Sequence, residues 1–599
     1  RVNAGFNNPN WTINNQENKN SVERFLTNIQ FDLNITDWLN IISRTGIDYY
    51  QSRTVQYYKP GTVGSTFGQG YFTDGIANNR VFNTDIIARS NFEIGDDIDL
   101  SVTLGANLND RKYLRLGGDI RDFILPIDLQ DFSNAQPENT NVDDFDRQMR
   151  TAATYFSGNI GLFDMLFLNS NVRVESSSTI GPNAESVFVY PSVDLAWQFS
   201  KLDLFVGSPI LTFGKLRLAY GEVGVEPPPY NTQSIYVSPN YSDSYGGSLS
   251  TDLFGAGSFT PSQDLGDPNL RPEIKREYEV GTDIRFFDNK VKIGYSYYYN
   301  TTDDVFFNLS LANSSGYDEL FTNAGKIENK GMEVDFSYDI IQNDDFNVNI
   351  NANWSYYRNK VLDLKGVESI RLGGLSAVSG RAVEGYPLGV FWGTKFTRSD
   401  DGSILLNDNG FPSLAPENGV IGDPHPDWQG GIGTTVTWKD LNLYFLFESY
   451  QGADIYAGTK AVLLNYGRHI ESGTETTANM DLFDYNGGLI TSGSTFRGSI
   501  HDFGAGDVAL TESWYRGIGG YFSGVQEQFI EDGSWTRLRE VTLSYSIRGP
   551  SFRKSTKLSS IDLSITGRNL HIWTNFVGND PDTNPVSYTH LTLPTTPYV

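Results

Sequence analysis

Residues 275–300 constrain the fold of this chain more than any other stretch. In the first arm Tyr278, Val280, Thr282, Ile284 and Phe286 share one face, while Glu277, Glu279, Gly281, Asp283 and Arg285 share the other. Asp288-Asn289-Lys290 supplies a turn. The return arm sets Val291, Ile293, Tyr295, Tyr297 and Tyr299 against Lys292, Gly294, Ser296 and Tyr298. Side chains alternate faces along a strand, so this is a two-faced hairpin with arms of about ten residues or more. The usual strand has ~5–6 residues, whereas a tilted strand crossing a bilayer needs ~9–11.

The unit recurs along most of the chain. Phe25, Ile29, Phe31, Leu33 and Ile35 alternate with Asn28, Gln30, Asp32 and Asn34 before a turn at Asp37-Trp38. Further tight turns fall at Gly95-Asp96-Asp97, Phe163-Asp164-Met165, Asn343-Asp344-Asp345 and Lys439-Asp440, and two last strands, 536–547 and 558–570, flank a polar turn. Between the hairpins lie long polar stretches, expected to be loops, at about 51–79, 110–147, 224–266, 362–426 and 451–526. Tight turns therefore alternate with long loops, and aromatic residues gather near strand ends. Short turns on one side, long loops on the other and aromatic girdles point to a transmembrane antiparallel β-barrel, an all-β fold. A soluble sandwich or propeller shares the alternation and stays open at this point.

Composition agrees and sets exclusions. Gly 60, Tyr 33 and Phe 38 beside Met 4 form a strand- and turn-rich bias. With Cys 0, neither disulfides nor thiolate metal sites are available. No apolar run is long enough for a membrane helix. The net charge of -27 opposes nucleic-acid binding. About sixteen strands can be counted, against ~22 in plugged transporter barrels. The first strand meets a tight turn, so it runs downward; about five strands are then expected before Arg1 and about one after the end.

Several strings resemble the SusC/RagA-type TonB-dependent outer-membrane transporters of Bacteroidetes-like bacteria. They include V-Y-P-S-V-D-L-A-W (189–197), L-R-L-A-Y-G-E-V-G (216–224), D-P-N-L-R-P-E (267–273) and N-A-G-K-I-E-N-K-G-M-E (323–333). E-G-Y-P-L-G-V-F-W-G (384–393), I-G-D-P-H-P-D-W-Q-G-G (421–431), E-D-G-S-W-T-R-L-R-E-V-T-L-S-Y (531–545) and G-R-N-L (567–570) follow in order. The resemblance implies a barrel in the outer membrane, filled by an N-terminal plug and energised by TonB. It also implies a SusD-like surface lipoprotein as a lid, and oligosaccharides or peptides as cargo. The plug and TonB-binding segment are missing from these residues. Residues 1–585 are thus expected to be a partial barrel domain, and 586–599 resemble a translated sequencing adapter. A passive porin or adhesin barrel and a soluble β-rich glycan-binding protein are the alternatives.

No catalytic constellation emerges, and no enzyme activity, metal or cofactor is expected. His425, His469, His501, His571 and His590 are scattered. Residues 504–509 match a dinucleotide fingerprint formally but follow no strand of a βαβ unit. The acidic stretch 400–410 has the Asp-Gly and Asn-Gly steps of a hairpin and lacks EF-hand spacing. Binding chemistry is expected in the loops, where Tyr230, Tyr236, Tyr241, Tyr245, Trp392, Trp428, Trp514 and Tyr515 are candidates for contact with ligand or lid. Aromatic faces suit sugar rings and protein interfaces alike, and loop packing or membrane-edge anchoring is the competing role.

Overall fold

The computed structural model describes residues 7–63, 69–237, 240–241, 249–250, 259–374 and 377–583. Seventeen strands of these residues belong to one large sheet; one, Asp264–Leu265, has two residues, and the other sixteen are long. This agrees with the number read from the sequence. The long strands are β1 (Gln16–Asn34), β2 (Leu39–Tyr58), β3 (Tyr71–Ile94), β4 (Ile98–Arg121), β5 (Thr140–Leu162), β6 (Leu166–Ser177), β7 (Phe188–Trp197) and β8 (Leu211–Val225). They continue as β9 (Glu273–Phe286), β10 (Val291–Ser310), β11 (Glu319–Gln342), β12 (Phe346–Asp363), β13 (Trp428–Trp438), β14 (Leu441–Gln451), β15 (Trp535–Arg548) and β16 (Ser560–Thr574).

The chain divides into two compact units. The first is Arg1–Leu195 with Gly221–Ile274 and Asn308–Asn323; the second is Ala196–Tyr220 with Lys275–Phe307 and Ala324–Val599. In the first, β1 to β6 each pair antiparallel with the next, without a register shift. In the second, β11 to β16 do the same, with register shifts at Lys326/Ile327, near Ile341 and Glu540, and in the Leu446/Phe447 pairing. The turns fall where the sequence places them. Phe163, Asp164, Phe287, Asp288 and Asn289 adopt positive φ, the left-handed backbone that short hairpin turns demand.

Two expectations are corrected. The stretches 51–79 and 110–147 are mostly strand: β2 runs on to Tyr58, β3 starts at Tyr71, β4 reaches Arg121 and β5 starts at Thr140. In these extensions charged and polar side chains interrupt the face that is apolar lower down, with Ile76, Leu114, Leu116 and Val142 scattered among them and Tyr57, Phe72 and Ile120 in a buried cluster, so no clean alternation reveals them. They are laced by ion pairs such as Arg53–Asp74 at 2.6 Å and Lys112–Asp146 at 3.1 Å. The turn between β15 and β16 contains a short helix, Pro550–Thr556, with Pro at its start, where the missing N–H costs nothing.

Burial is inverted relative to a water-soluble sheet. In the first unit Ile86 and Leu104 stand 61% and 57% exposed on the apolar face, while Asp85 on the opposite face is 5% exposed. In the second unit Ile432, Ile565 and Trp438 are exposed, and Asn300, Thr302 and Arg537 are buried. A sheet that presents leucine outward and buries aspartate is built for an apolar solvent. Aromatic rings mark the edges of the apolar faces. Trp38 stacks on Phe92 at 5.5 Å by the first tight turn, and Trp354 stacks on Tyr356 at 6.3 Å toward the opposite end of β12.

Candidate functional site

The polar face of the first unit carries a buried hydrogen-bond network. Asp85 accepts from Arg44 Nη2 at 3.1 Å, Asn83 Nδ2 at 3.2 Å and Asn107 Nδ2 at 2.8 Å. Alternation on β2, β3 and β4 puts these groups on one face, and register brings Arg44 opposite Asp85 opposite Asn107. Close by, the Tyr155 ring lies flat on Gly105; a Cβ there would sit 2.1 Å from Tyr155 Cζ. Only glycine lets the ring seat against the sheet.

The second unit repeats the theme with amides. Asn300 Nδ2 donates to Glu277 at 3.0 Å, Asn329 Nδ2 donates to Asn300 at 3.0 Å, and Asn359 Nδ2 donates to Asn329 at 2.6 Å. The chain ends on a loop, where Leu388 N–H donates to Asn359 Oδ1 at 2.7 Å. Four strands and one loop are thereby linked by side-chain amides that end on the Glu277 carboxylate, and together they present a hydrophilic wall. Such a wall suits passage or docking of polar material. Among the described residues, no group of three His, Asp or Glu is placed to hold a metal ion.

The segments 364–427 and 451–534 of the second unit pack into a lobe with its own core. Phe391, Phe411, Val378, Val525 and Leu464 are buried there around Trp514 and Tyr515, at 2% and 4% exposure. Trp514 meets Phe411 at 5.6 Å, Tyr485 at 5.7 Å and Phe503 at 5.2 Å. Tyr515 Oη lies 2.8 Å from Ser499 Oγ, and Tyr456 Oη donates to buried Gln526 at 2.5 Å. The rings singled out at 514 and 515 thus serve the lobe's packing. A four-stranded sheet, spanning strands from Ser369–Gly374 to Gly419–Gly422, forms one side of the lobe.

Other candidates lie elsewhere. Trp392, half-buried on this small sheet, carries the Arg381 guanidinium 5.0 Å above its ring. Trp428 opens β13 and shares a face with Trp438, the outward apolar face of that strand. In the first unit Tyr236 is 72% exposed, and Tyr230, with φ at 71°, accepts from Gln148 N–H at 3.2 Å. Tyr245 and the side chain of Tyr241 lie outside the described residues.

The hairpin reading of residues 400–410 holds: isolated antiparallel bridges join Arg398 to Ile404 and Leu406 to Pro412. Hydrogen bonds from Ser399 and Ser403 hold the Asp401 carboxyl down at about 2. Residues 504–506 form a turn in which Gly504 and Gly506 N–H donate to Asp502. Its role is that of a hairpin between Ser499–Asp502 and Asp507–Leu510.

One junction escaped the sequence reading as a site. His425 Nδ1 lies 2.7 Å from Asp423 Oδ1 and its ring stands edge-on to Tyr357. Asp423 N–H donates to Asp454 Oδ2 at 2.7 Å, while Arg358 Nη1 donates to Pro426 O at 3.1 Å and pairs with Asp427. Burial first, then the nearby carboxylates Asp423, Asp532 and Asp427, push the Asp454 carboxyl above its ordinary value. The lone visible signal was a histidine flanked by two prolines and two aspartates.

Comparison with known proteins places this architecture. A family model described as TonB dependent receptor-like, beta-barrel matches residues 1–570. TonB-dependent receptor P3 of Formosa agariphila is 26% identical over 69% of this chain and 40% of the relative. TonB-dependent receptor SusC of Bacteroides thetaiotaomicron is 21% identical over 97% of this chain and 57% of the relative. The chain thus spans about half the length of the curated relatives it matches. Among solved structures, the RagAB peptide transporter superposes with a TM-score of 0.74 at 18% identity, covering 95% of this chain and 60% of that one.

Proposed function

The chain belongs to the TonB-dependent receptor-like β-barrel family, and from that premise we propose that it is the wall of an outer-membrane importer energised through TonB. The protein is of the SusC/RagA type and its place is the outer membrane. The observation that carries the reading is the inverted burial of the wall, with apolar faces exposed and amide and carboxylate networks buried. A wall of this kind supplies a hydrophilic path, and energy must reach it through a plug, which we assign to the part of the protein outside residues 1–585. Residues 586–599 we read as foreign to the barrel.

The cargo, in this reading, is an oligosaccharide or a peptide, taken up under a SusD-like lipoprotein lid. The peptide arm is supported by the RagAB likeness and the glycan arm by the SusC likeness. Tyr236, Tyr230 and Trp392 are the candidates for contact with cargo or lid, since their rings are not consumed by a core. Trp428, on the outward face of β13, we assign to the membrane edge.

The test is uptake by cells carrying the complete gene with its neighbouring lipoprotein gene. Fluorescent oligosaccharide and peptide pools are supplied to strains with and without TonB. Accumulation of one pool that disappears without TonB is expected. Uptake that persists without TonB, together with steady ion conductance in planar bilayers, would replace the importer with a passive pore.

A further inference from the structure

Within the second unit, the small sheet of the loop lobe carries two arginines that the packing of the lobe does not use. Its strand Ser369–Gly374 pairs antiparallel with Ser379–Val383, which pairs in turn with Val390–Gly393. Residues directly opposite one another share a face. Ile370, Gly380, Ala382 and Phe391 therefore form one face, and Ser369, Arg371, Ser379, Arg381 and Trp392 lie on the other. The first face is spent on the core, with Phe391 and Ala382 fully buried and Ile370 at 4% exposure.

On the second face Arg371 stands opposite Arg381 in the ladder, and like charges so placed destabilise a strand pair. Arg358, Arg398, Arg537 and Arg539 of the same unit each reach an Asp or Glu. Arg371 and Arg381, among the described residues, reach none. In a chain with Asp+Glu 72 against Lys+Arg 45, charge balance gives no reason for two adjacent cations to lack an acid. Both are nevertheless held in place. Arg371 Nη2 donates to Gly374 O at 2.9 Å. Arg381 Nη1 donates to Ser369 Oγ at 2.8 Å, its Nε lies 3.5 Å from Ser379 Oγ, and its guanidinium sits 5.0 Å above the Trp392 ring. Those contacts use Nε and Nη1, so both N–H groups of Nη2 are left to donate. Arg381 is half-buried and Arg371 exposed. Burial first, then the Arg371 charge, lower the Arg381 guanidinium from its ordinary value, and the exposed Glu368 carboxylate offsets this only in part. An anion seated on the pair removes the repulsion, and a planar carboxylate matches the guanidinium fork.

We propose that Arg371 and Arg381 bind a carboxylate carried by the imported cargo, which makes the cargo acidic. Trp392 is the floor on which Arg381 is pre-ordered for that bond. The assignment rests on the importer reading and names the chemistry of its cargo.

The test uses the complete protein, purified in detergent with its lipoprotein and immobilised. It is offered oligogalacturonides from digested polygalacturonate and, separately, peptides from digested serum albumin. Each pool is supplied as it is and after methyl esterification of its carboxylates, and retained material is read by mass spectrometry. In one pool the free acids are expected to be retained at least about tenfold over the esters, the scale of one charge-assisted pair. The pool that shows this tells whether the carboxylate comes from a sugar or a peptide. A chain of net charge -27 repels acids in general, so such a preference requires a local cationic site. R371Q/R381Q should abolish it, with unchanged limited proteolysis of the lobe confirming the fold. R381K, which keeps the charge and loses the fork, should retain only part of it. Equal retention of acids and esters by wild type in both pools, which needs no variant, overturns the proposal, and so does a preference that survives R371Q/R381Q. The importer reading fails separately. Acid preference with uptake that does not need TonB would keep the site and remove the importer, whereas TonB-dependent uptake of acids and esters alike would keep the importer and remove the site.

Discussion

At the scale of single residues, burial decides which aromatic rings are available and which are spent on packing. Trp514 touches three other rings inside the loop lobe, so Trp514→Ala should cost about 3–5 kcal/mol of lobe stability. Limited proteolysis should then cut within 451–534 while the sheet stays resistant; unchanged cleavage would deny the lobe its core. Tyr236→Ala, at an exposed ring, should leave the proteolytic pattern as it is. The sequence showed a Trp-Tyr pair in a polar stretch and offered no means of telling core from surface. Burial there depends on Phe411 and Phe503, which arrive from distant parts of two loops. Asp454 provides a pH test. Its carboxyl is raised by burial and by neighbouring acids, so the folded lobe binds a proton more readily than the unfolded chain. Stability from this group is full below the ordinary carboxylate value and is lost as pH rises through the raised one. Asp454→Asn, which keeps an acceptor for Asp423 N–H, should protect the lobe at neutral pH, with the advantage fading in acid. Proteolysis rates across that range check it, and an advantage that grows in acid would contradict the assignment.

At the scale of elements, what was legible was alternation, and what was hidden was its absence. β12 could be read directly because Phe346, Val348, Ile350 and Ala352 oppose Asn347, Asn349 and Asn351. The upper halves of β2 to β5 could not, because Gln51, Arg53, Asp74, Lys112 and Asp146 are polar where an apolar face was sought. Pairing with a neighbour across the whole length holds those residues in strands, and pairing is invisible in a single sequence. Register also tells where a charge is harmful. Leu104 lies mid-strand on the exposed apolar face of β4, so Leu104→Arg should destabilise the refolded protein in bilayers by about 2–4 kcal/mol. Ser101→Arg, on the polar face of the same strand, should cost far less. Guanidine unfolding in lipid vesicles compares the two, and equal costs would remove the distinction between the faces.

At the scale of the whole molecule, the transport proposal requires that one face of the wall meets lipid and the other meets water. The family match and the superposition on the RagAB transporter agree with it, and the transport proposal depends on it. The chain has Cys 0, so single cysteines can be introduced one at a time for spin labels without background. The most direct measurement is a scan of β4 from Leu100 to Lys112 in bilayers, reading collision with oxygen, which partitions into lipid, and with a water-soluble nickel chelate. Oxygen collision should peak at Leu100, Val102, Leu104, Ala106 and Leu108. Nickel collision should dominate at Ser101, Thr103, Gly105 and Asn107 and take over at both parities from Asp110 onward. Loss of the two-residue period, or the same period with the faces exchanged, would contradict the membrane wall and the transport function built on it.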